Sequence, residues 1–138
     1  MTKDLIYLSE VEAVSMGDDW FEIATSDHFW MKWRFEEIKK LIAPFEKERE
    51  SIFEIGCGSA TVINQVEKAY NVVMDGCDLN EFALKQAKNC KGNLMIYNIF
   101  DKDKSLLNKY SMIFLLDVIE HIDAVSYTHL TLPTTPYV

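Results

Sequence analysis

The chain has 138 residues, 49% hydrophobic and 26% charged, a balance that excludes a disordered tract and suits a single compact domain. Fourteen basic residues against 22 acidic ones leave a net charge of −8, which disfavours a nucleic-acid partner, because phosphate backbones are held mainly through Lys and Arg patches. No run reaches the length of a membrane span, MTKDLIYLSE has no apolar signal core, and Cys57, Cys77 and Cys90 form no C-x-x-C pair. A cytoplasmic location with reduced thiols is therefore expected.

In chain order, residues 1–48 read as an N-terminal helical and aromatic cap. A polar, partly helical stretch to about Asp19 leads into WFEIATSDHFWMKWRF and then a helix ending near Pro44. Trp30, Trp33, Ile38 and Leu41 fall close to helical spacing, so much of this stripe is expected to pack as core, with a part of it facing a site. Arg34, one of two arginines, pairs with a ligand carboxylate in one reading and with Glu36 or Glu37 in the other.

Next comes SIFEIGCGSAT, a short apolar strand that carries the acid Glu54 and breaks into Gly56-Cys57-Gly58 ahead of a helical pattern over Ala60 to Tyr70. Buried parallel strands normally read as continuous apolar runs, so a carboxylate there needs compensation, and a ligand bearing positive charge would supply it. The glycines suit a tight strand-to-helix turn at positive φ, with room for a ligand where no Cβ stands. A Gly-x-Gly alone is also an ordinary structural turn. A second strand around NVVMDGC follows, and Asp78 arrives twenty residues after Gly58. In such βαβ units the acid accepts hydrogen bonds from a nucleotide ribose; capping the next helix, Glu81 to Cys90, is the structural alternative, and Asn80 fits that role equally well.

The turn also discriminates between nucleotides. The dinucleotide fingerprint wants a third glycine at position 61, where this chain has Thr61, and Glu54 would repel a pyrophosphate. S-adenosylmethionine has no phosphate and carries a sulfonium and an ammonium, so an acid beside the glycine turn suits its charge.

From about Ser51 to Ile122 the sequence resembles the class I S-adenosylmethionine-dependent methyltransferases. Glu54-x-Gly56-x-Gly58-x-Ala60 is similar to the family's first motif, with Ala60 in place of the usual third glycine, and MIFLLDVIEHID resembles its fourth strand and the Glu-His pair after it. The resemblance implies cofactor contacts from Glu54, Gly56, Cys57 and Gly58, a ribose acid at Asp78, an adenine neighbour at Leu79, and Asn98 and Ile99 at the adenine amino group and ring. It also implies that the fourth strand lies beside the first.

Strands over about Ser51 to Ile55, Val72 to Cys77, Asn93 to Tyr97 and Ser111 to Leu116, alternating with helices, predict an α/β fold. The expected architecture is a Rossmann-like, mostly parallel sheet with helices on both faces, incomplete at its first four strands, over residues 49–123. Residues 124–138 read as a non-native tail. AVSYTHLTLPTTPYV has no charge and does not continue the pattern, and Val125 to Thr134 resembles a translated transposase adapter; a native Thr-rich terminal strand is the alternative. With its outer strand partner missing, such a fragment is expected to be poorly soluble and inactive alone.

Methyl transfer from a sulfonium is an in-line displacement that needs positioning and, for a weak nucleophile, a general base. His121 is the candidate base, with bracing of the following helix as its alternative. Asp117-x-x-Glu120-His121 also resembles an acid and histidine cluster that holds a hard cation in the small-RNA 2′-O-methyltransferases, although no metal is expected here. The expected activity is methylation of a small-molecule acceptor. An NAD(P)-dependent oxidoreductase fragment, recognised by NADH binding, and a non-catalytic nucleotide-binding module are the alternatives.

Overall fold

A computed structural model describes residues 4–12 and 27–122; Trp20, Phe21 and the proposed adapter-like tail lie outside them. Five strands form one sheet in the order β1-β4-β3-β2-β5, every pairing parallel. They are β1 (Ile6–Tyr7), β2 (Ile52–Ile55), β3 (Met74–Asp78), β4 (Leu94–Ile96) and β5 (Met112–Leu115), with helices α1 (Phe29–Ile42), α2 (Thr61–Tyr70) and α3 (Glu81–Gln86). This is an α/β, Rossmann-like fold. β5 lies beside β2, in register from Ile52↔Met112 to Ile55↔Leu115.

The strand order explains the layers. From β2 through β3 to β4 the chain steps in one direction, so right-handed crossovers put their helices on one face. Ile38 and Ile42 of α1, Val62, Ile63 and Val66 of α2 and Leu84 of α3 all pack there against Ile52, Met74, Leu94, Ile96 and Phe114. The side chains that alternate to the other face, Phe53, Cys77 and Met95, form a second core with Tyr97, covered by Ile99, Leu106 and Tyr110 rather than by an α-helix among the described residues. Phe53 and Tyr110 stack with centroids 4.6 Å apart.

Three features depart from expectation. β1 adds a fifth strand where a helical or polar stretch was expected: Ile6 pairs with Met95 and Tyr7 with Ile96. Two residues are too few to show a period of two. α3 ends at Gln86 rather than Cys90 because side chains of α2 capture the backbone beyond it. Asn64 Nδ2 donates to the Lys88 carbonyl at 2.9 Å, and the amides of Lys91 and Gly92 donate to Glu67 at 2.8 and 2.9 Å.

The third departure is the face of α1. Met31, Ile38 and Ile42 are buried, whereas Trp30, Trp33 and Leu41 are 45%, 56% and 71% exposed. Both stripes fit a period of 3.6, and the one that faces the sheet carries Arg34 rather than the tryptophans. Trp30 and Trp33 instead pack on each other, their centroids 5.1 Å apart. His28 caps this helix, its Nδ1 accepting the Trp30 amide at 3.3 Å.

Candidate functional site

In an open parallel sheet, ligands bind beyond the carboxyl ends of the strands where the strand order reverses. Here the chain moves from β2 outward to β4 and then returns to β5 on the other side of β2, so the reversal lies between β2 and β5. A cleft of about 340 Å³ opens there, a size within the roughly 300–1,000 Å³ range of small-molecule sites. Glu54, Gly56, Cys57, Gly58 and Asp78 line it, with Met31 and Arg34 of α1, Asn80, Asp117 and His121.

The elbow is pinned to the neighbouring strand, the amides of Gly56 and Cys57 both donating to the Cys77 carbonyl at 2.8 and 3.0 Å. Gly56 and Gly58 stand at φ +74° and +52°, as the tight turn requires, but they do different work. A Cβ on Gly56 would lie 2.3 Å from Cγ2 of Val118, so this glycine makes room for the segment after β5 rather than for a ligand. A Cβ on Gly58 would meet nothing within 4 Å, so Gly58 leaves the cleft floor open. Ala60, in the third motif position, is itself left-handed at φ +59° and fully buried, which shows why a glycine would suit that place.

Glu54 is 3% exposed, and its Oε2 has no hydrogen-bond partner. Burial pushes its carboxyl up to about 8; the Arg34 guanidinium pulls the other way, while Asp78 and Asp117 add to the rise. Asp78 is fixed differently. Its Oδ2 accepts the Gly58 amide and its Oδ1 the Asn80 amide, both at 2.8 Å, which leaves a lone pair on each oxygen. Helix capping falls to Asn80, whose side chain accepts the Ala83 amide at 3.1 Å, and not to Asp78.

Arg34 joins neither Glu36 nor Glu37. Its Nη1 lies 2.8 Å from Asp117 Oδ2, and those glutamates pair with Lys39 and Lys40 along α1. Asp117 was legible in the sequence only as a cluster member with Glu120 and His121; among the described residues no group of three His, Cys, Asp or Glu side chains is placed to hold a metal. His121 is exposed at the cleft. Cys57 is buried, and burial, with Glu54 and Asp78 adding, pushes its thiol well above the usual range, which favours the protonated form.

Leu79, Asn98 and Ile99 do not line this cleft. Asn98 accepts the Phe100 amide at 3.1 Å and donates to Glu12 at 3.0 Å, and Ile99 packs on the second core. The bond to Glu12 runs to a segment that a local reading of IYNIFD does not include. No helix among the described residues is long and apolar enough to cross a membrane.

The chain shares its fold with a methyltransferase. The plantazolicin methyltransferase BpumL, in complex with a triazolic desmethylPZN analog and SAH, matches with a TM-score of 0.57 and 23% identity over 75% of this chain and 42% of that one. Its complex with SAH gives 0.55 and 23% over 72% and 40%, and its complex with a monoazolic analog and SAH gives 0.56 and 20% over 83% and 51%. This chain thus spans about half, or less, of the length of those structures. No protein-family model and no curated protein matches it.

Proposed function

We propose that this chain is part of a class I S-adenosylmethionine-dependent methyltransferase that methylates a small-molecule acceptor. The observation that carries the reading is Glu54: a buried carboxylate with an unpartnered oxygen on the wall of a cleft at the sheet's reversal point. Such a group is costly unless a cationic donor meets it. Asp78 and Asp117 line the cleft against one guanidinium, and Glu54 adds a third negative charge once a cation displaces its proton, a balance that favours a ligand with net positive charge over a pyrophosphate.

The residues present fit S-adenosylmethionine. Glu54 would accept the ammonium of its amino-acid end, Asp78 would accept the ribose hydroxyls through its free lone pairs, and Gly58 would leave the floor clear beneath them. Once bound, the cofactor supplies an electrophilic methyl group. His121, at the cleft, is the candidate to take the acceptor's proton, and positioning does the rest. The likeness to BpumL, crystallised with SAH and with desmethylPZN analogs, supports the same ligand class and an acceptor of small-molecule size.

Isothermal titration calorimetry of the chain with S-adenosylmethionine, S-adenosylhomocysteine and NADH tests this. Heat is expected with the first two and not with NADH. Silence with both adenosyl ligands, or saturable binding of NADH alone, would overturn it.

A further inference from the structure

The two edges of the sheet are finished differently. β1, at one edge, has two residues, and Tyr7 on it is tied down by a hydrogen bond from its Oη to Glu81 Oε1 at 2.6 Å. β5, at the other, has four, and among the described residues its outer side pairs with no strand. Proteins blunt such an edge with a charge, a proline or a bulge, and Ser111-Met112-Ile113-Phe114-Leu115-Leu116 has none of these. Beside it runs a groove of about 260 Å³, walled by Ile38, Leu41, Ile42 and Phe45 on one side and by residues 112–116 on the other, every one apolar. Leu41, Ile113 and Phe45 are 71%, 53% and 49% exposed there. An open strand edge is complementary to another uncharged strand edge, and β5 is the one described strand that offers four positions of that kind. Two copies of β5 match each other when run antiparallel about a two-fold axis, and such a contact closes on itself. Charge agrees. The chain carries −8, yet the groove lining has no charge, and next to it on α1 Glu36 and Glu37 are balanced by Lys39 and Lys40. Two acidic chains therefore meet little repulsion at this face, and a two-fold axis lets the acids of one α1 meet the bases of the other.

We propose that this groove is the face through which two copies of the chain associate, β5 pairing antiparallel with β5 of the second copy while Leu41, Phe45 and Ile113 of the two copies close over one another. The pairing joins two five-stranded sheets into one of ten strands. It is independent of the adenosyl-ligand reading. A four-residue edge and a shallow groove lie at the small end of the interface range, so the association is reversible, with a dissociation constant of about 1–100 μM.

The test is sedimentation velocity of the full 138-residue chain across that concentration range, with amide hydrogen exchange at low and high concentration. A shift from monomer to dimer is expected, accompanied by slower exchange over residues 112–115. Ile113→Lys and Leu41→Glu alter exposed side chains that the fold does not need, and each should weaken the dimer about ten-fold or more. Leu107→Lys, at a side chain 66% exposed but outside the groove, should change it by less than about three-fold. A monomer at every concentration overturns the proposal: protected β5 amides would then mean that the chain's own undescribed residues cover the edge, and open ones that nothing does. Growth into species larger than a dimer overturns the two-fold contact. Equal weakening by Leu107→Lys overturns the placement of the interface at β5.

Discussion

The two ends of the sheet treat buried carboxylates in opposite ways. At the end where β3 and β4 begin, Glu67 accepts the amides of Met74, Gly92 and Lys91 at 2.8–3.0 Å, and Asp75 accepts the Asn93 amide, Tyr110 Oη and Lys109 Nζ at 2.7, 2.7 and 3.1 Å. At the opposite end, where β2 and β5 finish, Glu54 keeps an oxygen with no partner and Asp78 keeps spare lone pairs. All four acids lie on or against the same parallel sheet. The first two each accept three bonds from their own chain, with every oxygen partnered. The last two accept fewer, and Glu54 leaves one oxygen without a partner, which is the capacity the proposed cofactor site would use.

The largest effect that would break this contrast is expected at Glu67. Glu67→Ala removes the carboxylate acceptor of two buried amides and one part-buried amide at once and should cost about 3–5 kcal/mol, lowering the thermal midpoint by more than ten degrees or preventing folding. A midpoint within a few degrees of the parent would mean that water satisfies those amides and that the saturated end is not structural in this sense.

Glu54→Gln should act with the opposite sign on stability. The folded-state value near 8, against an ordinary 4.5, means that the folded chain keeps a proton which the unfolded chain releases. Stability from this group is therefore full below about pH 4.5 and declines as pH rises toward 8. The amide removes that slope, so between pH 5 and pH 8 the parent should lose about 3–4 kcal/mol that the variant keeps, while the variant loses its affinity for an adenosyl ligand. Urea titrations at pH 5 and pH 8 read the difference, and identical slopes in the two proteins would show Glu54 to be compensated already. Ligand binding near pH 7 should also release close to one proton, seen as a dependence of the heat on buffer ionisation enthalpy.

Asp75 gives a smaller effect of the saturated kind. Burial alone would raise its carboxyl, but the bonds from Tyr110, Asn93 and Lys109 outweigh it and hold the value below the ordinary 3.8. Its contribution is thus present above about pH 4 and disappears as pH falls through the lowered value. Asp75→Asn should cost about 1–2 kcal/mol at pH 7 and flatten the acid limb of the unfolding profile. An unchanged acid limb would assign that limb to other carboxylates.

The smallest expected effect is at Ala60. Replacement by glycine relieves a left-handed alanine worth about 1 kcal/mol but removes a buried methyl worth about 0.8 kcal/mol, so denaturation midpoints should barely move. A shift above 1 kcal/mol in either direction would show that one of these two terms dominates.

The sequence by itself determined the order of β2, α2, β3, α3, β4 and β5 and the elbow between β2 and α2. It also determined the twenty-residue interval that brings Asp78 back against Gly58. Those features are set by the local backbone: strand and helix periods, positive φ at two glycines, and a crossover too short to place its ends anywhere else. Only the tertiary structure decided which stripe of α1 faces the sheet, since two stripes share one period. It alone also paired Arg34 with Asp117 across 83 residues, added β1 to the edge, took Asn98 into a bond with Glu12, and made Glu67 a clamp on the starts of β3 and β4. Each of these depends on which distant groups remain unsatisfied once the sheet has closed, and no local pattern in the chain records that.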